Sequence, residues 1–272
     1  MPTADINGIT LHYDRAGAGE ALVFLHAYPT NRTIWTSQVD AFAPDRLTVA
    51  YDLRGFGSSS APSEASKYGQ DLSVADLLGL LDTLELSQAT LCGLSMGGNI
   101  ALHFALRYPE RVAALILVDT GAGSEDAELF ARTTKGWADA AERGGIEKFA
   151  DVILANPIFA EYADRGSAER RRLHDLITGN SVHGVSHTAR CVLAPRLPVQ
   201  ALESHLVRLD VPTLVIVGEA DPACHEPGRY LSEKIPGASL AMIPEAGHFN
   251  NLEVPDVFNR TCQVFLSKLD NA

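Results

Sequence analysis

Residues 93–97 read Gly-Leu-Ser-Met-Gly, a G-x-S-x-G pattern. An apolar run, residues 89–92, precedes the pattern, and a helical pattern begins near Met96. Between a strand and a helix, this pattern predicts a nucleophile elbow, a sharp turn that presents a serine hydroxyl above the sheet. Such a turn strains the backbone of Ser95, and only small neighbours such as these glycines make that strain tolerable. The pattern therefore predicts that Ser95 is a nucleophile.

A serine hydroxyl is a weak nucleophile and needs a base, which in turn needs a buried acid to fix its tautomer. His248 comes directly after the last predicted strand and is the candidate base. Asp221 follows the preceding predicted strand and is the favoured acid, with Asp119, after the strand before that, as its rival. The remaining histidines are expected to be surface, loop or packed residues.

Acyl transfer also needs N–H donors for the developing oxyanion. The backbone N–H of Met96, at the start of a helix, is one candidate. The second is expected from the loop after an early strand, from the N–H of Tyr28 or, with the loop shifted, of Ala27. In the same loop, His26 is expected to brace the backbone. This chemistry requires neither a metal nor a cofactor.

Apolar segments alternate with helical patterns along the first 123 residues. Strands are expected at residues 21–25, 47–51, 89–92, 112–118, 213–217 and 239–243. Asn7-Gly8 predicts a hairpin before the first of them. A helix is expected from Ser73 to about Leu86, with Ser73 and Asp76 as an approximate capping box. This alternation predicts an α/β fold with a mainly parallel sheet and helices on both faces.

The alternation stops between Ser124 and His205, where the pattern is helical without a clear strand. We therefore expect a core made of residues 1–123 and 206–272, with residues 124–205 inserted as a helical cap before the last strands. The insertion follows the carboxyl end of a strand, where open α/β sheets bind ligands, so it is predicted to act as a lid.

The composition limits the kinds of molecule that the protein is expected to bind. A net charge of −12 and a pI near 5.1 argue against nucleic acid or an anionic membrane. Four widely spaced cysteines suggest neither a zinc site nor a disulfide framework. No apolar run reaches the ~20 residues of a membrane span, and the first residues lack the features of a signal peptide. We expect a soluble cytoplasmic protein, a monomer or homodimer, that acts on a small molecule.

Substrate contacts are expected from the elbow region and from the insertion. The candidate pocket residues are His26, Ala27, Leu94, Trp137, Ile153, Phe159 and Phe249. For the aromatic and aliphatic side chains of the insertion, packing between helices is the alternative role. The insertion carries 10 Lys and Arg against 12 Asp and Glu, which makes it less acidic than the remaining chain, with 12 against 22. The insertion could therefore accommodate an anionic substrate. A solvated helix face is one interpretation of its basic residues, and a carboxylate held by Arg190 or Arg196 is the alternative.

Five stretches together resemble the α/β-hydrolase family over nearly the whole chain: His26–Pro29, Asp52–Ser59, Gly93–Gly98, Gly218–Asp221 and Gly247-His248. Family members carry serine, acid and histidine in that chain order. Ala27 stands where the family usually has glycine. Because Ser95 occupies the nucleophile position, the chain is unlike the epoxide hydrolases and haloalkane dehalogenases of this fold, which use aspartate there. Residues 92–98, 107–112 and 247–253 are most similar to 3-oxoadipate enol-lactonase and related esterases.

This resemblance implies a serine hydrolase of carboxylic esters or lactones. Ser95 would attack the carbonyl, His248 would take its proton and Asp221 would hold the imidazole, while the N–H groups of Tyr28 and Met96 bind the oxyanion. Two alternatives stay open. One is hydrolysis of a carbon–carbon bond by the same three residues, and the other is a ligand receptor of this fold that turns over slowly.

Overall fold

The computed structural model describes residues 2–270. Within them one sheet contains the strands β1 Thr3–Ile6, β2 Ile9–Ala16, β3 Ala21–Leu25, β4 Leu47–Tyr51, β5 Ala89–Leu94, β6 Val112–Val118, β7 Thr213–Gly218 and β8 Ser239–Ile243. Their order across the sheet is β1-β2-β4-β3-β5-β6-β7-β8. The pairs β1–β2 and β2–β4 are antiparallel, and all pairs from β4 to β8 are parallel. The predicted hairpin and mainly parallel sheet are confirmed.

The helices are α1 Thr36–Phe42, α2 Gln70–Thr83, α3 Met96–Arg107, α4 Ala127–Leu154, α5 Pro157–Ala163, α6 Ser167–Thr178, α7 Val182–Thr188, α8 Glu203–Leu206, α9 Pro222–Lys234, α10 Asn250–Glu253 and α11 Pro255–Asp270. Of these, α1, α2, α3, α9 and α11 contact strands of the sheet. In the part of the chain that is described, none of the helices combines the length and apolarity needed to cross a membrane.

The segment between β6 and β7 holds helices α4 to α8 and, within the described chain, no strand. Gly145 interrupts α4 with a φ of 75°, a conformation that glycine adopts without a steric penalty. The element order agrees with the predicted helical insertion. Its division from the core as a separate cap, and its role as a lid, stay predictions.

The topology leaves a crevice at the carboxyl ends of β3 and β5. These two strands are neighbours, but the chain leaves β3 toward β4 on one side and later enters β5 on the other. Ligands of open α/β sheets bind where the strand order reverses in this way. The loop containing Tyr28 follows β3, and Ser95 follows β5, so both lie at this crevice.

The predicted capping box at Ser73 is wrong. Helix α2 begins three residues earlier, at Gln70, and the Ser73 hydroxyl donates to the carbonyl of Gly69 at 3.2 Å. The carboxylate of Asp76 instead accepts hydrogen bonds from Arg54, because a buried guanidinium binds a carboxylate more strongly than a helix N–H does. The helix also ends at Thr83, before the predicted end near Leu86.

Asp76 and Arg54 form a buried ion pair that joins three parts of the core. Arg54 donates from Nε to Asp76 Oδ2 at 2.8 Å and from Nη2 to Oδ1 at 2.6 Å. Asn7, in the hairpin turn between β1 and β2, donates to Asp76 Oδ1 at 2.9 Å. Burial raises the pKa of Asp76 against the opposing effect of these hydrogen bonds. The pair therefore ties the hairpin and the loop after β4 to α2.

Replacing Asp76→Asn should lower the free energy of unfolding by about 3–5 kcal/mol, because it leaves the Arg54 guanidinium buried without its counter-charge. Urea denaturation at neutral pH measures this loss. Asp71→Asn, an exposed change on the same helix, is the control and should shift stability by less than about 0.5 kcal/mol. Equal losses in the two variants would contradict the assigned role of the pair.

Candidate active site

Ser95 sits in a strained turn between β5 and α3. Its φ of 55° and ψ of −110° lie outside the regions that L residues normally occupy. A side chain at Gly97 would collide with the carbonyls of Leu25 and His26, and one at Gly98 would collide with Thr120. The backbone therefore has the strained conformation that the G-x-S-x-G pattern predicts, and the glycines are required by close packing.

His248 and Asp221 form a hydrogen-bonded pair at the same edge of the sheet. His248 Nδ1 lies 2.6 Å from Asp221 Oδ2, and each residue is 3% exposed. Burial opposes ionisation of Asp221, but the adjacent imidazole and its hydrogen bond outweigh this effect and lower the pKa of Asp221. Because Nδ1 is engaged by Asp221, Nε2 is left to act as a base. Ser95 and His248 line the same cavity.

Glu253 holds the loop that carries His248, a role that the sequence did not indicate. Its carboxylate accepts from the N–H of Gly247 at 2.5 Å and from the N–H of Phe249 at 3.0 Å. Arg165 of the helical segment lies 2.7 Å from the same carboxylate. The two residues flanking His248 are therefore fixed by one buried side chain. Its position five residues after His248, close enough to reach the N–H groups of the loop, is the feature of the sequence that could have suggested this role.

Asp119, the rival acid, has different partners. Its carboxylate accepts from the N–H of Gly218 at 2.9 Å and from Asn250 Nδ2 at 2.5 Å. Burial and the nearby charge of Asp221 raise the pKa of Asp119 well above its usual range. The structure thus brings Asp221 against His248 and uses Asp119 to join the end of β7 to the start of α10.

Cys224 is a further neighbour of Asp221 that no sequence pattern indicated. Its buried thiol has a raised pKa, chiefly because of burial, and its hydrogen bond to Asp221 favours the ionised carboxylate. The donor atoms of Asp221, Cys224 and His248 lie within 4.8 Å of one another, a separation found in metal sites. The hydrogen bonds that Asp221 makes to the other two account for this closeness.

The loop after β3 is braced by His26. Its Nδ1 donates to the carbonyl of Ala27 at 2.9 Å, and its Nε2 accepts from the N–H of Leu53 at 3.0 Å. These two bonds fix the neutral tautomer with the proton on Nδ1. Tyr28 lines the cavity beside Ser95, and Met96 is the first residue of α3, where N–H groups have no acceptor within the helix. That these two N–H groups bind an oxyanion stays a prediction.

The cavity at Ser95 is small and mostly apolar. Its lining residues are Tyr28, Ser95, Ala122, Phe130, Trp137, Ile158, Phe159, Leu193, Arg196 and His248. Its volume is about 30 Å³, where one water needs about 10–15 Å³. In this conformation the cavity has room for a few waters but not for an ester of several carbon atoms.

Two of the seven predicted pocket residues, Trp137 and Phe159, are among the lining residues. The lining does not include His26, Ala27, Leu94, Ile153 and Phe249, each of which is completely buried. The apolar lining instead includes Phe130, Ile158 and Leu193, which were not predicted. Helical periodicity identifies an apolar face but not the element that this face contacts, which is why these positions were missed.

The two candidate arginines have different surroundings. Arg190 pairs with Asp139 at 2.5 Å and with Glu142 at 2.7 Å, both on α4. Arg196 lines the cavity, donates to the carbonyl of Ala122, and lies with its guanidinium carbon 4.4 Å from the ring centroid of Phe130. Only the second of the two predicted candidates is among the cavity residues.

Comparison with known proteins gives a family match and relatives that align over nearly the whole chain. Residues 20–255 match the family described as alpha/beta hydrolase fold. A Bacillus subtilis (strain 168) protein assigned as a 2-succinyl-6-hydroxy-2,4-cyclohexadiene-1-carboxylate synthase is 31% identical over 93% of this chain and 92% of its own length. The 3-oxoadipate enol-lactonase 2 of Acinetobacter baylyi is 30% identical over 98% of this chain and 97% of its own. The crystal structure of the enol-lactonase from Burkholderia xenovorans LB400 superposes with a TM-score of 0.85 at 30% identity, covering 98% and 100% of the two chains.

The buried neutral imidazole of His26 should make stability depend on pH. Burial lowers the pKa of His26 from 6.5 to about 4, so between these values the unfolded chain binds a proton that the folded chain does not. The free energy of unfolding should therefore fall as the pH drops from 6.5 to 4, with about 3 kcal/mol from this residue. Urea denaturation at pH 7, 6, 5 and 4 measures the slope.

In this series His26→Asn should be less stable than the wild type at pH 7 but should show a shallower loss toward pH 4. His205→Gln, a change at an exposed histidine, is the control and should keep the wild-type slope. If His26→Asn retained the wild-type slope as well, the pH dependence would have another origin.

Proposed function

The chain belongs to the α/β-hydrolase family, and from this premise we propose that it is a serine hydrolase of carboxylic esters or lactones. Ser95 is the nucleophile, His248 the base and Asp221 the acid. The observation that carries the proposal is the buried His248–Asp221 hydrogen bond of 2.6 Å beside a cavity that Ser95 also lines. A strained serine and an oriented imidazole at one cavity are the parts that acyl transfer needs.

In the first half of the reaction Ser95 Oγ attacks the carbonyl carbon while His248 Nε2 takes its proton. The ionised Asp221 stabilises the imidazolium through Nδ1. The negative charge that develops on the carbonyl oxygen is bound by the N–H groups of Tyr28 and Met96, aided by the positive end of the α3 dipole. His248 then returns its proton to the leaving alkoxide, which leaves an acyl group on Ser95.

In the second half His248 takes a proton from water, and the resulting hydroxide attacks the acyl carbonyl. The tetrahedral species collapses, Ser95 receives the proton and the carboxylic acid is released. With a lactone, the alcohol and the acid stay in one molecule, so a single ring-opened product leaves.

Entry of a substrate involves the helical segment, residues 124–205, as a lid. Few direct hydrogen bonds join its α7 region to the loop after β3: Tyr28 donates to the carbonyl of Val185 at 3.1 Å, and Asn180 donates to the carbonyl of Pro29 at 2.8 Å. Opening breaks such contacts and widens the cavity, and closing excludes water from the acylation step.

Replacing Ser95→Ala should reduce kcat/KM for short p-nitrophenyl esters at least about 10³-fold, because it removes the attacking oxygen. Absorbance of released p-nitrophenol at pH 7.5 measures the rate. Ser87→Ala, an exposed change just before β5, is the matched control and should retain wild-type activity.

Equal activity in wild type and Ser95→Ala would exclude Ser95 as the nucleophile. If the wild type left all these esters intact, product analysis with a β-diketone substrate would show whether the same residues cleave a carbon–carbon bond. Two carbon skeletons instead of an acid and an alcohol would support that alternative, and slow single turnover with tight binding would support a receptor.

Amide substitutions at Asp221 and Asp119 should have different effects on catalysis and on stability. Asp221→Asn should lower kcat by about 10⁴-fold with a small change in KM, because an amide can hold the imidazole in the wrong tautomer. Asp119→Asn should lower kcat less than about 10-fold but reduce the melting temperature, because an amide N–H then faces the N–H of Gly218 or Asn250. Steady-state kinetics and thermal denaturation of both variants measure the two effects. The reverse ranking of the kcat losses would make Asp119 the acid.

A further inference from the structure

Arg196 reaches the cavity of Ser95 from the chain that follows α7. Its Nη2 donates to the carbonyl of Ala122, and its guanidinium carbon lies 4.4 Å from the ring centroid of Phe130. Both of these partners also line the cavity. A backbone carbonyl and an aromatic face fix the plane of the guanidinium without neutralising its charge.

No carboxylate within residues 2–270 lies at ion-pair distance from Arg196. Two other arginines of the helical segment have such partners: Arg190 pairs with Asp139 and Glu142, and Arg165 pairs with Glu161 and Glu253. Arg196 is half-buried, and this burial lowers its pKa to about 10, so the side chain remains a cation at neutral pH. A guanidinium carries five N–H donors, and the Ala122 carbonyl uses only part of them.

The surroundings make an unpaired cation expensive and an incoming anion favourable. Six of the lining residues are apolar: Ala122, Phe130, Trp137, Ile158, Phe159 and Leu193. In such a medium a charge without a partner destabilises the protein, and a charge-assisted hydrogen bond is stronger than in water. A ligand that supplies the counter-charge would explain why a guanidinium occupies this position.

We infer that Arg196 binds a carboxylate of the substrate, so that the substrate class is an ester or lactone bearing a second, anionic carboxylate group. The inference rests on the proposed function, because it assigns the substrate of the same cavity. A monoanion fits better than a phosphate dianion, since Arg196 and the base His248 are the basic side chains that line the cavity. The apolar lining holds the carbon chain between the two ends of the substrate.

Two p-nitrophenyl esters with five-carbon acyl groups test this inference: the glutarate half-ester, which ends in a carboxylate, and the pentanoate, which ends in a methyl group. Arg196→Met removes the charge but keeps a long stem against Phe130, and should lower kcat/KM for the half-ester about 30–100-fold. The ratio of kcat/KM for the half-ester to kcat/KM for the pentanoate should fall at least about tenfold, because the pentanoate has no carboxylate that could lose its partner. Arg196→Lys should retain part of the preference.

Arg190→Met is the matched control, because Arg190 belongs to the same segment but pairs with α4. It should leave the ratio of the two kcat/KM values unchanged. An unchanged ratio in Arg196→Met, with the variant folded by circular dichroism, would overturn the inference.

A binding measurement separates this inference from the proposed function. Calorimetry of Ser95→Ala with malonate, succinate, glutarate and adipate reports binding without turnover. Saturable binding of at least one dicarboxylate, weakened at least about tenfold in Ser95→Ala/Arg196→Met, supports the carboxylate site even if neither ester is hydrolysed. Hydrolysis of the pentanoate without dicarboxylate binding would retain the proposed function and reject the carboxylate site.

Discussion

The backbone of Ser95 is the constraint on which the site depends. A non-glycine residue at a φ of 55° and a ψ of −110° costs about 1–3 kcal/mol, so surrounding structure must hold it there. The N–H of Ser95 donates to the carbonyl of Val118 at 2.8 Å, and Gly97 packs under the carbonyl of Leu25. Strands β3, β5 and β6 thus fix the backbone of the serine together, so the direction in which its side chain leaves the turn is set before any ligand binds.

Two buried carboxyl groups lie close together behind the imidazole, and their surroundings set them to different tasks. Like charges at short range in a medium of low dielectric do not both ionise easily. Asp221 faces His248 and has a lowered pKa, whereas Asp119 is buried against Gly218 and Asn250 and has a raised one. The separation in pKa leaves the negative charge where it orients the imidazole.

Tyr28 is one of the side chains that join the helical segment to the loop after β3. The ring of Tyr28 stacks on Trp137 with centroids 5.9 Å apart, and its hydroxyl donates to the carbonyl of Val185. The backbone N–H of Tyr28 is also the proposed oxyanion donor. A displacement of the segment therefore acts on the same loop that the reaction uses. Although the whole chain has a net charge of −12, Arg196 places a positive charge at the lining of this cavity.

The strands, the elbow and the bracing histidine could be predicted from the sequence, because each depends mainly on residues nearby in the chain or on an adjacent strand. Short apolar runs bounded by turn residues indicate buried strands. Close packing admits only glycine at positions 93 and 97, two residues to either side of Ser95. His26 bonds to Ala27 and Leu53, which belong to its own loop and to the loop after the adjacent strand. The start of α2 was predicted wrongly, because Asp76, the expected capping residue, pairs instead with Arg54, which is distant in the chain.

Contacts between distant segments determine which of two similar side chains meets the site, although the sequence already favoured Asp221 over Asp119. Asp119 and Asp221 both follow parallel strands at the same edge, and only the positions of β7, β8 and α10 direct the second toward His248. Arg190 and Arg196 lie six residues apart, but α4 offers acidic partners to the first alone. Such choices depend on contacts between segments far apart in the chain, which no local pattern encodes.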